Sequence, residues 1–179
     1  MTRRRVWALA LTLLVACPSA CTPRGEIATH DEATTALLGS VRALHHQADV
    51  YEHAGEFPRA AEAVRRVLAL QLPRELPEYE DVRADAYGRL AELSLRAGNP
   101  DDALSHTDTG LAETSRESVL RARLMMVRGQ CLGALADRDR DRGDTAGAAR
   151  RREEAIQVLE RSITMNQRIL ARALDGGAP

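Results

Sequence analysis

HAGEFPRAAEAVRRVLAL, residues 53 to 70, reads helical on both sides of a break at Gly55-Glu56-Phe57-Pro58. Upstream, Leu37, Val41, Leu44, Ala48 and Tyr51 recur at three- and four-residue steps, which is one narrow face of a helix. Gly55 tolerates the left-handed conformation that ends a helix. Pro58 suits the first turn of the next helix, where its missing N–H costs nothing. Downstream, Ala60, Val64, Val67 and Leu68 continue on one face. The break therefore predicts the turn of a helical hairpin.

The same parts return twice. Val82, Ala86, Leu90, Leu93 and Ala97 form a face that Gly98 closes; Asn99 is placed to cap and Pro100 to start the next helix. Leu120, Leu124, Val127, Cys131 and Leu135 form another, closed by Gly143. A long final helix follows, with Ile156, Leu159, Ile163 and Leu170 in phase. Upstream of the first hairpin, Thr29-His30-Asp31-Glu32 fits a capping box with Thr29 as N-cap. The three turn glycines are 43 and 45 residues apart. Near-equal spacing of helix-turn-helix units is the signature of a stacked helical repeat.

At this point the chain resembles the tetratricopeptide family. That pattern has a small residue in the first helix, an aromatic three residues on, glycine at the turn, then an aromatic and a small residue. Ala48, Tyr51, Gly55, Phe57 and Ala60 fit it. Ala91, Gly98 and Ala103 keep the small residues of a second unit, with Ser94 and Pro100 in the aromatic slots. Ala136, Gly143 and Ala148 do so in a third, with Asp139 and Thr145 there. The resemblance implies an all-α fold: about three antiparallel hairpins in a right-handed solenoid, plus a long C-terminal helix. A plain six-helix bundle is the structural alternative. The family period of about 34 residues is exceeded, which implies longer helices and a Pro-marked connection at Pro73 to Pro77.

The first residues address the compartment. MTRRRVWALALTLLVAC carries Arg3, Arg4 and Arg5 before an eleven-residue apolar run, Val6 to Ala16. Spanning a bilayer takes about 20 residues, so this reads as a removable export signal. It ends in Leu14-Val15-Ala16-Cys17, which resembles the bacterial lipobox and implies a signal peptide over residues 1–16 with lipidation of Cys17. Ordinary secretion with cleavage near Ala20 is the alternative. Pro18 stands where Asp would argue for inner-membrane retention, and the reading leans to the outer membrane, facing the periplasm. Residues 17–29 are expected to be the lipidated cysteine and a flexible tether, 30–174 the helical domain, and 175–179 a frayed tail. Cys131 falls on an apolar stripe, as a buried free thiol does; a Cys21–Cys131 disulfide is the alternative.

Tetratricopeptide stacks bind partner segments along a groove lined by the first helix of each hairpin. Carried over, this puts Arg42, His45, Asp49, Glu52 and His53 on the groove from the first unit. The second unit gives Asp85, Glu92 and Arg96, and the third Gln130, Asp137 and Asp141. Such a groove reads as acidic and mixed, suited to a basic or neutral ligand. Met125, Gly129 and Leu132 form a second apolar face, open either to a partner or to packing between hairpins. His46, Asp49 and His53 share a helix side, but three ligands on one exposed helix read as a solvated face, so no metal site is expected. In Asp137-Arg138-Asp139-Arg140-Asp141-Arg142, Asp137–Arg140 and Arg138–Asp141 pairs are expected.

Composition narrows the class. All 25 basic residues are arginine, and only five residues are aromatic, which disfavours surfaces that stack sugars or bases. Residues 17–115 carry net charge −8 and residues 116–179 carry +4. That split can orient an encounter, but export argues against nucleic acid as the target. There is no GxSxG, HExxH or P-loop, so neither enzyme nor cofactor is expected. The expected role is a membrane-anchored scaffold or assembly factor of a bacterial envelope complex. The alternative is a periplasmic ligand or metal sensor.

Overall fold

The computed structural model describes residues 24–176. Among them the chain is all-α, with six helices and no strand: α1 (Arg24–His53), α2 (Phe57–Ala69), α3 (Tyr79–Arg96), α4 (Pro100–Glu113), α5 (Val119–Asp141) and α6 (Thr145–Asp175). The export signal, Cys17, Cys21 and residues 177–179 lie outside the described residues.

The three expected breaks share one backbone device. Gly55, Gly98 and Gly143 have φ of 75°, 79° and 85°, the region that costs a residue with a Cβ about 1 kcal/mol or more. In each case the next residue's N–H reaches back five positions: Glu56 to the Tyr51 carbonyl at 2.8 Å, Asn99 to Ser94 at 2.9 Å, Asp144 to Asp139 at 2.9 Å. The glycine N–H bonds three back, at 2.9–3.0 Å. This paired closure satisfies carbonyls that a helix end leaves open.

Restarting the helix is less uniform. Pro58 and Pro100 sit in the first turns of α2 and α4, but Asn99 makes no side-chain cap bond. Asp144 does cap α6, accepting from the Gly147 N–H at 2.8 Å. Ser118 caps α5, accepting from the Arg121 N–H at 3.1 Å.

Helices pair as α1·α2, α3·α4 and α5·α6, and successive pairs meet through α2·α3, α3·α5 and α4·α5. Val41, Leu44 and Ala48 of α1 bury against Ala60, Val64 and Val67 of α2 and Ala86, Leu90 and Leu93 of α3. Val127 and Cys131 of α5 meet Ala91 of α3 and Ala103 of α4. All six small residues of the repeat pattern, Ala48, Ala60, Ala91, Ala103, Ala136 and Ala148, are at most 1% exposed. Alanine there lets neighbouring helices approach closely.

Three expectations change. Helix α1 begins at Arg24, so Thr29 lies inside it rather than at its N-cap, and residues 24–29 are helix rather than tether. Ala97 is exposed at the end of α3. In α6 the buried face is Ala155, Val158, Ser162 and Met165, whereas Ile156, Ile163 and Leu170 are 52, 56 and 59% exposed. The reason lies on α5, where the facing residues are small. A Cβ on Gly129 would stand 2.7 Å from Leu159 Cγ, and the Ser162 hydroxyl donates to the Ala122 carbonyl at 2.7 Å. Helix α6 therefore seats Leu159 over Gly129 and Ser162 over Ala122, which turns Ala155, Val158 and Met165 inward and Ile156, Ile163 and Leu170 outward.

Candidate functional site

One side of α1, α3 and α5 forms an open groove of about 570 Å³. It is lined by Arg42, His45, His46, Asp49 and Glu52 of α1, Asp85, Arg89, Glu92 and Arg96 of α3, and Arg123 of α5. Steps of three and four residues place each set on one helix side, rotated away from the core stripe.

The groove's charges are largely paired across helices. The Arg89 guanidinium donates to Asp49 Oδ1 at 2.6 Å, to Glu52 Oε2 at 3.3 Å and to the His45 carbonyl at 3.3 Å. Arg96 pairs with Glu52. Arg123 reaches Asp85 at 2.8 Å and both oxygens of Glu92 at 3.0 and 2.8 Å. Arg42 and His46 have no ion pair or hydrogen bond among the described residues and stand open at the surface. With four arginines against four carboxylates, the groove is neutral and mixed rather than acidic as expected.

His45 is the half-buried centre of this network. Burial lowers its pKa, and the nearby Arg89 and Arg123 charges add to that, outweighing the carboxylates of Asp85 and Asp49. Its Nδ1 lies 3.2 Å from Arg89 Nη1. Arginine can only donate, so Nδ1 accepts and the ring proton sits on Nε2, which faces Asp85 Oδ2 at 3.6 Å.

The remaining expected residues lie elsewhere. His53 is outside the groove; its ring nitrogen donates to the Asp49 carbonyl at 2.7 Å and helps close α1. Gln130 is exposed but does not line the cavity. Asp137 pairs with Arg140 at 2.9 Å and Arg152 at 3.3 Å, and Asp141 with Arg140 at 3.0 Å. Arg138 turns instead to Asp101 of α4, and Asp139 holds Arg151 at 2.6 Å. Leu132 is 1% exposed and clusters with Ala155 and Val158, and Met125 packs on that cluster. Gly129 lies under Leu159. Helix α6 thus occupies the face that Met125, Gly129 and Leu132 offered, which corrects their place on a partner surface.

Three groove residues were missed: His46, read from sequence as part of a solvated face, Arg89 and Arg123. Arg89 completes the 85–89–92–96 stripe, so helical spacing alone was a sufficient signal. Arg123 stands seven residues before Gln130, within about 20° round the helix, so the same spacing pointed to it; which of the two reaches the groove depends on how α5 docks beside α3. The Cys131 thiol is buried and pushed up to about 12 by desolvation, which keeps it protonated. Among the described residues, no three His, Cys, Asp or Glu side chains are grouped to hold a metal ion, and no helix is long and apolar enough to cross a membrane.

No family model matches the chain, and neither a curated protein nor a solved structure matches it.

Proposed function

We propose that the chain is a lipid-anchored, tetratricopeptide-like scaffold of a bacterial envelope complex whose groove docks a segment of a partner protein. The observation that carries this reading is the convergence of ten side chains from the first helix of every hairpin on one open concavity. The repeated glycine closures and the six buried alanines support the family resemblance, and the Leu14-Val15-Ala16-Cys17 motif supports the anchor. Neutral, mixed charge suits a segment carrying both signs, which can exchange with the Arg–carboxylate pairs without stranding a buried charge.

Among the described residues Arg42 and His46 hold no ion pair or hydrogen bond, so they can be altered without cutting the network. A photo-cross-linking residue at Arg42 or His46, in living cells, is expected to capture one envelope protein. The same residue at Glu62, on α2 outside the groove, is expected to capture none. Arg89→Glu should abolish capture from both groove positions. Equal capture from Glu62, or capture that survives Arg89→Glu, overturns the groove reading. No protein capture, together with thermal stabilisation by a small molecule, would favour the sensor alternative.

A further inference from the structure

The terminal hairpin carries an apolar face that its own fold leaves bare. Ile156, Ile163, Leu170 and Leu174 of α6 are 52, 56, 59 and 68% exposed, and Val119 and Met126 of α5 are 60 and 37% exposed. Gly129 meets Leu159 and Ala155, and Ala122 meets Ser162, so α5 and α6 run antiparallel. In an antiparallel pair, residues turned the same way from the seam lie on one side. At about 100° per residue, Met126 and Val119 stand roughly 60° and 80° past Gly129. Leu170, Ile163 and Ile156 stand roughly 60°, 80° and 100° past Ala155. The six side chains therefore share one surface. It lies across the seam from the buried cluster of Leu132, Ala155 and Val158, and a contiguous exposed apolar surface marks an interaction site.

Charge decides which occupant fits. A helix that lies on an anionic bilayer places basic residues beside its apolar stripe. Here Arg161 and Arg168 stand roughly 160° and 140° from Ile163 round the helix; Arg152, at roughly 20°, is held by Asp137 at 3.3 Å, and Glu160 lies at roughly 60°. Nor does the +4 of residues 116–179 remain free. Arg116, Arg123, Arg128 and Arg138 pair with Asp81, Asp85, Glu92, Asp108 and Asp101 of the first half. The nine other arginines of residues 116–179 equal the nine acids there. Two such hairpins can approach without mutual repulsion.

We infer that this face pairs with the same face of a second copy of the chain, the two α6 helices crossing antiparallel about a two-fold axis at Ile163. Seven-residue spacing makes the stripe self-complementary: Ile163 meets its twin, and Ile156 meets Leu170. Glu160 falls opposite Asn166 and Leu159 opposite Gln167, so no like charges face each other. From Ile156 to Leu174 the stripe runs about 27 Å. Helix α5 flanks the stripe only as far as Val119, about 10 Å of its length; at about 9 Å per helix that gives roughly 350 Å² per copy. The total of about 700 Å² is at the size of weak, transient contacts, which fits a reversible dimer.

Cysteine pairs read the register directly. In the full chain carrying Cys17→Ser and Cys21→Ser, the remaining Cys131 is 0% exposed and gives no background. Mild oxidation should then cross-link Ile163→Cys to itself, whereas Ile156→Cys and Leu170→Cys should cross-link efficiently only when mixed. Val50→Cys, equally exposed at 57% on α1, is the control. Ile163→Glu should convert the sedimenting dimer to monomer at unchanged helicity. Cross-linking at position 163 no greater than at position 50 overturns the proposal. So does identical sedimentation of Ile163→Glu and the unaltered chain, or capture of a different protein at position 163.

Discussion

His45 shows how one side chain reports on the whole network. Its pKa lies below the usual 6.5, first because of burial and then because of Arg89 and Arg123. The folded state therefore holds His45 neutral at a pH where the unfolded chain binds a proton. A base with a depressed folded pKa contributes stability that is present above 6.5 and is lost as pH falls towards the folded value. His106, also depressed by burial and by Arg65, acts in the same direction. Thermal melts should show the midpoint falling between about pH 7.5 and pH 5. His45→Gln keeps an acceptor for Arg89 and removes the titration, so its melting curve should depend less on pH across that window. A variant with an undiminished pH dependence would remove His45 from this account. Seven of the ten residues lining this site were legible beforehand. The 42–45–49–52 stripe is written in helical spacing, but burial of His45 under Arg89 depends on how α3 seats against α1.

At the scale of elements, closeness rather than volume holds α3, α4 and α5 together. A Cβ added to Gly110 of α4 would stand 2.7 Å from Tyr87 Cβ and 2.8 Å from Leu124 Cδ2. Tyr87 Cβ is fixed to the α3 backbone, and Leu124 is fully buried, so neither yields without moving a helix. Gly110→Ala gains about 1 kcal/mol of helix propensity, yet overpacking of this kind costs about 1–3 kcal/mol. Denaturant titration should show net destabilisation, the opposite of an exposed Gly→Ala change. Such contacts explain what periodicity misjudged. Counting apolar residues put Ile156, Ile163 and Leu170 of α6 in the core. The structure buries Ala155, Val158, Ser162 and Met165, because Leu159 seats over Gly129 and the Ser162 hydroxyl donates to the Ala122 carbonyl, which sets the rotation of α6. A hydrophobic stripe shows which residues are apolar, whereas the partner's shape decides which of them fit. The turns were legible for the converse reason: φ near 80° is a local demand, and glycine meets it locally.

Over the whole molecule, the sequence's charge asymmetry proves to be internal wiring. The first half is acidic and the second basic, and four arginines of the second half cross to carboxylates of α3 and α4. Most of these side chains are partly exposed, with Arg128 at 19% and Arg116 at 48%. Each pair is therefore worth about 0.2–1 kcal/mol, and the five together about 1–5 kcal/mol. Raising salt from about 0.1 M to 1 M shortens the Debye length from about 10 to 3 Å and should weaken them together. In a chain of this size, about 1 kcal/mol moves the midpoint by about 2–4 °C. Melts of the full chain in sodium chloride should thus lose several degrees across that range. Combining Arg116→Gln, Arg123→Gln, Arg128→Gln and Arg138→Gln should lower the starting midpoint and flatten the salt dependence. If the quadruple variant retains the slope of the unaltered chain, other charges set it, and the two halves of the sequence do not recognise each other through these pairs.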